Sequence, residues 1–189
     1  SANILACDPY SVTDMDKPVR ITRAMDDGRS EKQSIWTVLQ LGWDKTTSDY
    51  PVEVFPCQAY ASIACGADAL LWFEIKWIRQ HPEHFAAFKK LTLELKEMHD
   101  ELCGEEPRSL QPTFSDPRII GIAKETKDGI LLITVNKTLE DVGEVTVDIP
   151  GYKQRVGNGL FGSASVEVSD GVFKASYKSG QRHVFRFKK

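Results

Sequence analysis

Ile35-Trp36-Thr37-Val38-Leu39-Gln40 is an almost unbroken apolar run that stops on a polar side chain. A short run of this kind reads as a strand covered on both faces, the habit of parallel sheets. Two similar runs flank it: Ile4-Leu5-Ala6-Cys7-Asp8 upstream and Ala69-Leu70-Leu71-Trp72-Phe73-Glu74 downstream. Each is followed by helical sequence. Three strand-plus-helix units predict a parallel α/β sheet, in which ligands bind at the C-terminal ends of the strands. Asp8, Gln40 and Glu74 are therefore expected on one rim.

The helical stretches have their own punctuation. The first is expected over about 18–27, with Pro18 in its first turn and Gly28 as its stop. The second is expected over about 52–65, closed by Gly66. His81-Pro82-Glu83 opens a third, in which Phe85, Phe88, Leu91, Leu95, Met98 and Leu102 recur at helical spacing up to Gly104. Pro107, Pro112 and Pro117 then mark a linker.

From Arg118 the apolar period becomes two. Ile130 to Val135 follows Asp128-Gly129, and Glu144 to Ile149 alternates until Pro150-Gly151. Ser165 to Val168 is expected to pair with Val172 to Tyr177 through Asp170-Gly171, and Val184 to Phe187 follows Ser179-Gly180. About seven short strands in the last 72 residues read as a β-sandwich. The expected organisation is α/β plus all-β: a βα domain over 1–106, a linker over 107–117 and an antiparallel β-sandwich over 118–189.

Composition narrows the functional classes. In 189 residues, 41% hydrophobic content supports a real core, and a net charge of −3 with scattered basic residues argues against nucleic-acid binding. No run of 18 apolar residues predicts a membrane span. Residues 1–8 lack the basic and apolar regions of a signal peptide, which leaves localisation open. Cys7, Cys57, Cys65 and Cys103 have no zinc spacing and are expected as buried free thiols. Neither metal nor cofactor is implied.

Several motifs have bland readings. Gly157-Asn158-Gly159-Leu160-Phe161-Gly162 fits G-x-G-x-x-G, but strand-like sequence follows it where a dinucleotide site needs a helix, so it reads as a turn between strands. His81 and His84 are expected as exposed rings at a helix start. Asn136-Lys137-Thr138 is a glycan acceptor triplet by sequence. The rim carboxylates carry more. Asp8 and Glu74, two strands apart, could supply the two carboxyl groups that glycoside hydrolysis needs; each could equally cap a helix, pair with Arg20, Lys76 or Arg79, or bind substrate hydroxyls. All four tryptophans fall in the βα part, and Trp43 and Trp77 lie just past strand ends, where flat aromatic faces suit sugar rings. Trp36 and Trp72 read as core.

Asp8-Pro9-Tyr10, Val38-Leu39-Gln40 with Trp43, and above all the stretch from Cys57-Gln58-Ala59-Tyr60 through Gly66-Ala67 to Leu71-Trp72-Phe73 resemble the last three βα units of TIM-barrel glycoside hydrolases. The tail resembles the small β-sandwich that often follows such barrels. The resemblance implies that residues 57–73 are the seventh helix and eighth strand, so Asp8 ends the sixth strand and Gln40 the seventh. In the large retaining clan the acid/base follows strand four and the nucleophile strand seven. Here strand four has no counterpart and an amide stands at the seventh-strand end. A complete barrel takes about 250 residues; the βα part here supplies less than half.

The expectation is thus a glycoside hydrolase-like fragment, inactive in isolation. Its parent would hydrolyse glycosidic bonds with Asp8 and Glu74 as candidate catalytic residues and Tyr10, Gln40, Trp43 and Trp77 as candidate substrate contacts. The alternative is a non-catalytic carbohydrate-binding or assembly module; a complete small α/β domain with another ligand is a third reading. The partner is a carbohydrate. Unpaired sheet edges predict homo-oligomerisation.

Overall fold

The computed structural model describes residues 4–8, 16–28, 30, 33–41, 50–103, 108–152 and 156–188. They form two compact units that divide between Leu93 and Glu94.

In the first unit, β1 (Ile4–Cys7), β2 (Ser34–Gln40) and β3 (Ala69–Phe73) make a three-stranded sheet in that order. Both pairings are parallel, as the apolar runs predict. The connections carry α1 (Asp16–Gly28) and α2 (Val54–Ala64). Alternation along β2 sends Ile35, Thr37 and Leu39 to the helix side, where all three are buried. On that side Thr22 of α1 shares a hydrogen bond with Thr37 (3.3 Å), and the Cys7 thiol donates to Thr37 Oγ1 at 3.7 Å. Helix α2 is buried almost all round, which explains its run of Ala, Ser and Cys: small residues let it lie close to its neighbours. Gly66 ends it at φ +95°, with the Asp26 carboxyl carbon 2.8 Å from where a Cβ would stand.

After β3 come α3 (Ile75–Ile78) and α4 (Pro82–Glu97). Leu41, Phe55, Ile78 and Phe88 form a buried cluster with Trp72 and Phe85 against it. Trp72 meets Phe88 edge-on at 5.2 Å, the core role expected of it. The opposite sheet face is open: Ile4, Leu71 and Phe73 are 44%, 41% and 38% exposed.

The second unit starts within α4. The helix expected to run unbroken to Leu102 is interrupted at Met98, and α5 (His99–Cys103) follows. Strands β4 (Arg108–Leu110) and β5 (Thr113–Phe114) occupy the stretch expected as a linker; each pairs with a strand of the sandwich. Seven further strands come after Arg118: β6 (Ile119–Thr126), β7 (Gly129–Asn136), β8 (Gly143–Asp148), β9 (Val156–Leu160), β10 (Val166–Glu167), β11 (Val172–Tyr177) and β12 (Arg182–Lys188). With β4 and β5 they form a six-stranded sheet, β10-β9-β12-β7-β6-β4, and a three-stranded sheet, β11-β8-β5, with every pairing antiparallel. Leu132, Phe185 and Phe187 from one sheet share a core with Val147 and Phe173 from the other. That shared core makes the unit a sandwich.

The hairpin expected across Asp170-Gly171 does not form as a ladder. β10 pairs with β9 and β11 with β8, in different sheets, and only a bridge between Ser169 and Val172 joins the two sides of the turn. The G-x-G-x-x-G stretch is β9 followed by a turn. Its glycines answer close packing: a Cβ on Gly157 would meet the Phe187 ring at 2.3 Å, and one on Gly159 the Ser163 carbonyl oxygen at 2.0 Å. Among the cysteines Cys103 is exposed, against expectation, because it ends a short surface helix.

Candidate functional site

Parallel pairing puts the ends of β1, β2 and β3 at one end of the sheet. Gln40 lies opposite Phe73 in the ladder, and the Leu41 N–H donates to the Phe73 carbonyl at 2.7 Å. Glu74 is the next residue. Gln40 shares the open sheet face with Trp36 and Val38 by alternation, and it is 8% exposed. Asp8 follows Cys7, which pairs with Thr37, so Asp8 stands level with Val38 and is exposed.

The structure therefore brings Gln40 and Glu74 to neighbouring strand ends and holds Asp8 on the far side of β2, set back along the sheet. With strands about 4.8 Å apart and residues about 3.3 Å apart, the Asp8 and Glu74 backbones are roughly 14 Å apart. Direct displacement at a sugar needs carboxyl groups about 5 Å apart, whereas a mechanism with an intervening water takes about 6.5–9.5 Å. So wide a setting does not suit the first geometry.

Glu74 precedes α3 in an extended conformation, and its Oε1 lies 3.9 Å from Lys76 Nζ. Lys76 Nζ also sits 4.7 Å above the Trp77 ring. Trp77 is half-buried, and Ile75 beside it is 40% exposed. Tyr10 and Trp43 lie outside the described residues.

His84 is buried rather than exposed. Its Nε2–H donates to the Tyr50 carbonyl at 2.7 Å, and its ring meets Phe55 edge-on at 5.6 Å. It thereby ties Tyr50, ahead of α2, to the first turn of α4. The signal in the sequence was its place four residues before Phe88 and seven before Leu91, on the apolar face of the helix. The Lys76–Trp77 contact had no such signal, because adjacent helix positions do not ordinarily face each other.

Burial pushes the Cys57 thiol up to about 12, which leaves it inert as a nucleophile. Among the described residues no group of three or more His, Cys, Asp or Glu side chains could hold a metal ion. Among the described residues no helix is long and apolar enough to cross a membrane.

By sequence, no protein-family model and no curated protein matches the chain. By structure, it is similar to carbohydrate-active enzymes. An α-amylase from Geobacillus thermoleovorans, solved with acarbose, matches 98% of this chain with a TM-score of 0.66 at 11% identity. An Anoxybacillus α-amylase matches 96% at 0.62 and 11% identity. A GH30 endoxylanase from Clostridium papyrosolvens matches 98% at 0.54 and 14% identity. The chain spans only 53%, 44% and 49% of these structures. Its fold matches about half of each of these three structures.

Proposed function

We propose that the chain is a glycoside hydrolase-like segment, three βα units of a (β/α) barrel with the β-sandwich that follows them. The parent protein hydrolyses glycosidic bonds in a pocket at the C-terminal ends of the parallel strands, and the isolated chain is catalytically inactive. One observation carries the reading: β1, β2 and β3 run parallel, so that Asp8, Gln40 and Glu74 follow at the same end of the sheet, with Asp8 set back from the other two, within a fold matched to about half of glycoside hydrolase chains. The open sheet face, with its exposed Leu71 and Phe73, fits a barrel interior awaiting further strands. Asp8 and Glu74 are assigned to acid–base or substrate roles, and Tyr10, Gln40, Trp43 and Trp77 to substrate contacts.

The test is hydrolysis of aryl glycosides, malto-oligosaccharides and xylo-oligosaccharides. Robust turnover by the isolated chain would refute its inactivity. In the full-length parent, Asp8→Asn and Glu74→Gln should each lower kcat/KM at least tenfold; unchanged activity in both removes them from the mechanism.

A second reading is favoured by Gln40. A nearly buried amide at a strand end can accept from one sugar hydroxyl and donate to the next, and it cannot act as acid or nucleophile. The segment would then belong to a non-catalytic carbohydrate-binding or assembly module. Sugar-induced tryptophan fluorescence changes without hydrolysis, in both the chain and its parent, would select that reading.

A further inference from the structure

We propose that Lys76 is a displaceable plug on the Trp77 platform and so a specificity-determining residue of this rim. The inference rests on the reading above, in which Trp77 receives a sugar ring. A stacking tryptophan needs a free face. Here one face of Trp77 is taken by the Lys76 ammonium at 4.7 Å from the ring centroid. The same ammonium reaches back to Glu74 Oε1 at 3.9 Å. One cation thus sits over the flat surface and within ion-pair distance of the carboxylate that a sugar would use. Phe73 and Ile75, close by in sequence, are exposed.

The plug is weakly held. Lys76 is 63% exposed and the Glu74 side chain 36%. A cation over an exposed ring and an exposed ion pair each contribute a few-fold at most, together roughly three- to thirtyfold. A ligand that brings its own stacking surface and hydroxyl donors can displace it. A neutral oligosaccharide must compete with Lys76 for the ring, so removing the ammonium should help that ligand.

The experiment uses the full chain with maltotriose and xylotriose as probes, followed by calorimetry and tryptophan emission. Lys76→Ala should bind a probe about three- to tenfold more tightly than wild type. Lys76→Arg, which keeps a cation over the ring, should match wild type. The gain should vanish in Lys76→Ala combined with Trp77→Ala. Added salt should improve binding to wild type and leave Lys76→Ala unmoved. Independently of any sugar, Lys76→Ala should change emission in the native chain and not in a Trp77→Phe background. If Trp77→Ala weakens binding but Lys76→Ala does not tighten it, the plug is refuted and the sugar-binding reading stands. If emission responds to Lys76→Ala but neither probe binds any variant, both fall.

Discussion

Arg182 of β12 is bound to Glu94 through three hydrogen bonds: its Nε donates to Oε2 at 3.1 Å, and its Nη2 contacts both carboxylate oxygens. Four residues along the same strand, Arg186 donates to both oxygens of Glu101, at 2.9 and 2.7 Å. Four strand residues cover about 13 Å, a separation that the long side chains of the two pairs span. The segment 94–103 is thereby fastened to the outer face of the six-stranded sheet, with Met98 fully buried between the two pairs.

The two pairs differ in burial, and that sets their strength. The Glu94 side chain is 4% exposed and that of Arg182 18%; Glu101 and Arg186 are 22% and 30% exposed. Breaking a buried pair from one side costs about 3–5 kcal/mol, whereas a solvated pair contributes up to about 1 kcal/mol. Arg182→Ala should therefore destabilise the protein by about 3 kcal/mol and Arg186→Ala by about 1 kcal/mol in urea unfolding. Equal losses would show that burial does not govern the difference.

Gly66 makes a second prediction by two independent routes. Its φ of +95° disfavours any side chain, and Asp26 stands where the Cβ would go. Gly66→Ala should cost more than about 1 kcal/mol. Adding Asp26→Ala removes the collision and leaves the backbone penalty, so the double variant should recover only part of the loss. Full recovery would mean that the dihedral costs nothing here.

How much of this was legible beforehand depends on how local each signal was. The parallel strands could be read because β2 is apolar on both faces and its neighbours repeat the pattern. The sandwich strands could be read because Val145 and Val147 alternate with Thr146 and Asp148. Partner choice was not legible. Asp170 and Gly171 adopt the positive φ of a tight turn, yet the chain uses that turn to cross between sheets, since β11 buries Phe173 and Tyr177 better beside β8 than beside the two-residue β10. The prolines around 107–117 hid β4 and β5 for a similar reason: short edge strands are defined by their partners. At the rim, strand-end polarity exposed Asp8, Gln40 and Glu74, but no sequence pattern encodes the stagger between β1 and β3.

His183 and Asp116 make stability depend on pH in separate windows. Burial lowers the pKa of His183, whose Nε2–H donates to the Ser176 carbonyl at 2.9 Å and whose ring lies against Tyr177. Its depressed folded-state pKa gives a contribution complete above the ordinary value of 6.5 and lost as pH falls below it. Hydrogen bonds from the Arg118 side chain and backbone hold the Asp116 carboxyl at about 2, so its contribution is complete above 3.8 and disappears as pH falls towards 2. Urea midpoints should thus fall in two steps with acid. His183→Gln should remove the upper step and Asp116→Asn the lower; a step that survives its substitution belongs to another group.

Asn136 closes the acceptor triplet that its sequence advertises. The side chain is fully buried, its amide donates to the Glu140 and Lys178 carbonyls at 2.6 and 2.8 Å, and its oxygen accepts from both the backbone and the hydroxyl of Thr138. A glycan on that nitrogen is incompatible with this arrangement. Folded protein from a eukaryotic secretory host should carry no glycan at Asn136 by mass spectrometry. Asn136→Ala, which strands buried carbonyls, should cost about 2 kcal/mol or more. Glycosylated protein with wild-type unfolding would overturn the assignment.

The open face of the parallel sheet bears on association. Ile4, Leu71 and Phe73 are large and exposed on a sheet whose edges, β1 and β3, pair with no further strand among the described residues. Water ordered over such a face, and unpaired strand edges beside it, both favour contact with a second apolar surface. Within the proposed barrel that surface is further βα units; for the isolated chain we propose a second copy. Light scattering should therefore show mass rising above the monomer's 21.2 kDa with concentration, and Leu71→Asp should return the chain to a monomer without lowering its unfolding midpoint. A wild type that stays monomeric at all concentrations would mean that the face is tolerated in water, and the association would have to be abandoned.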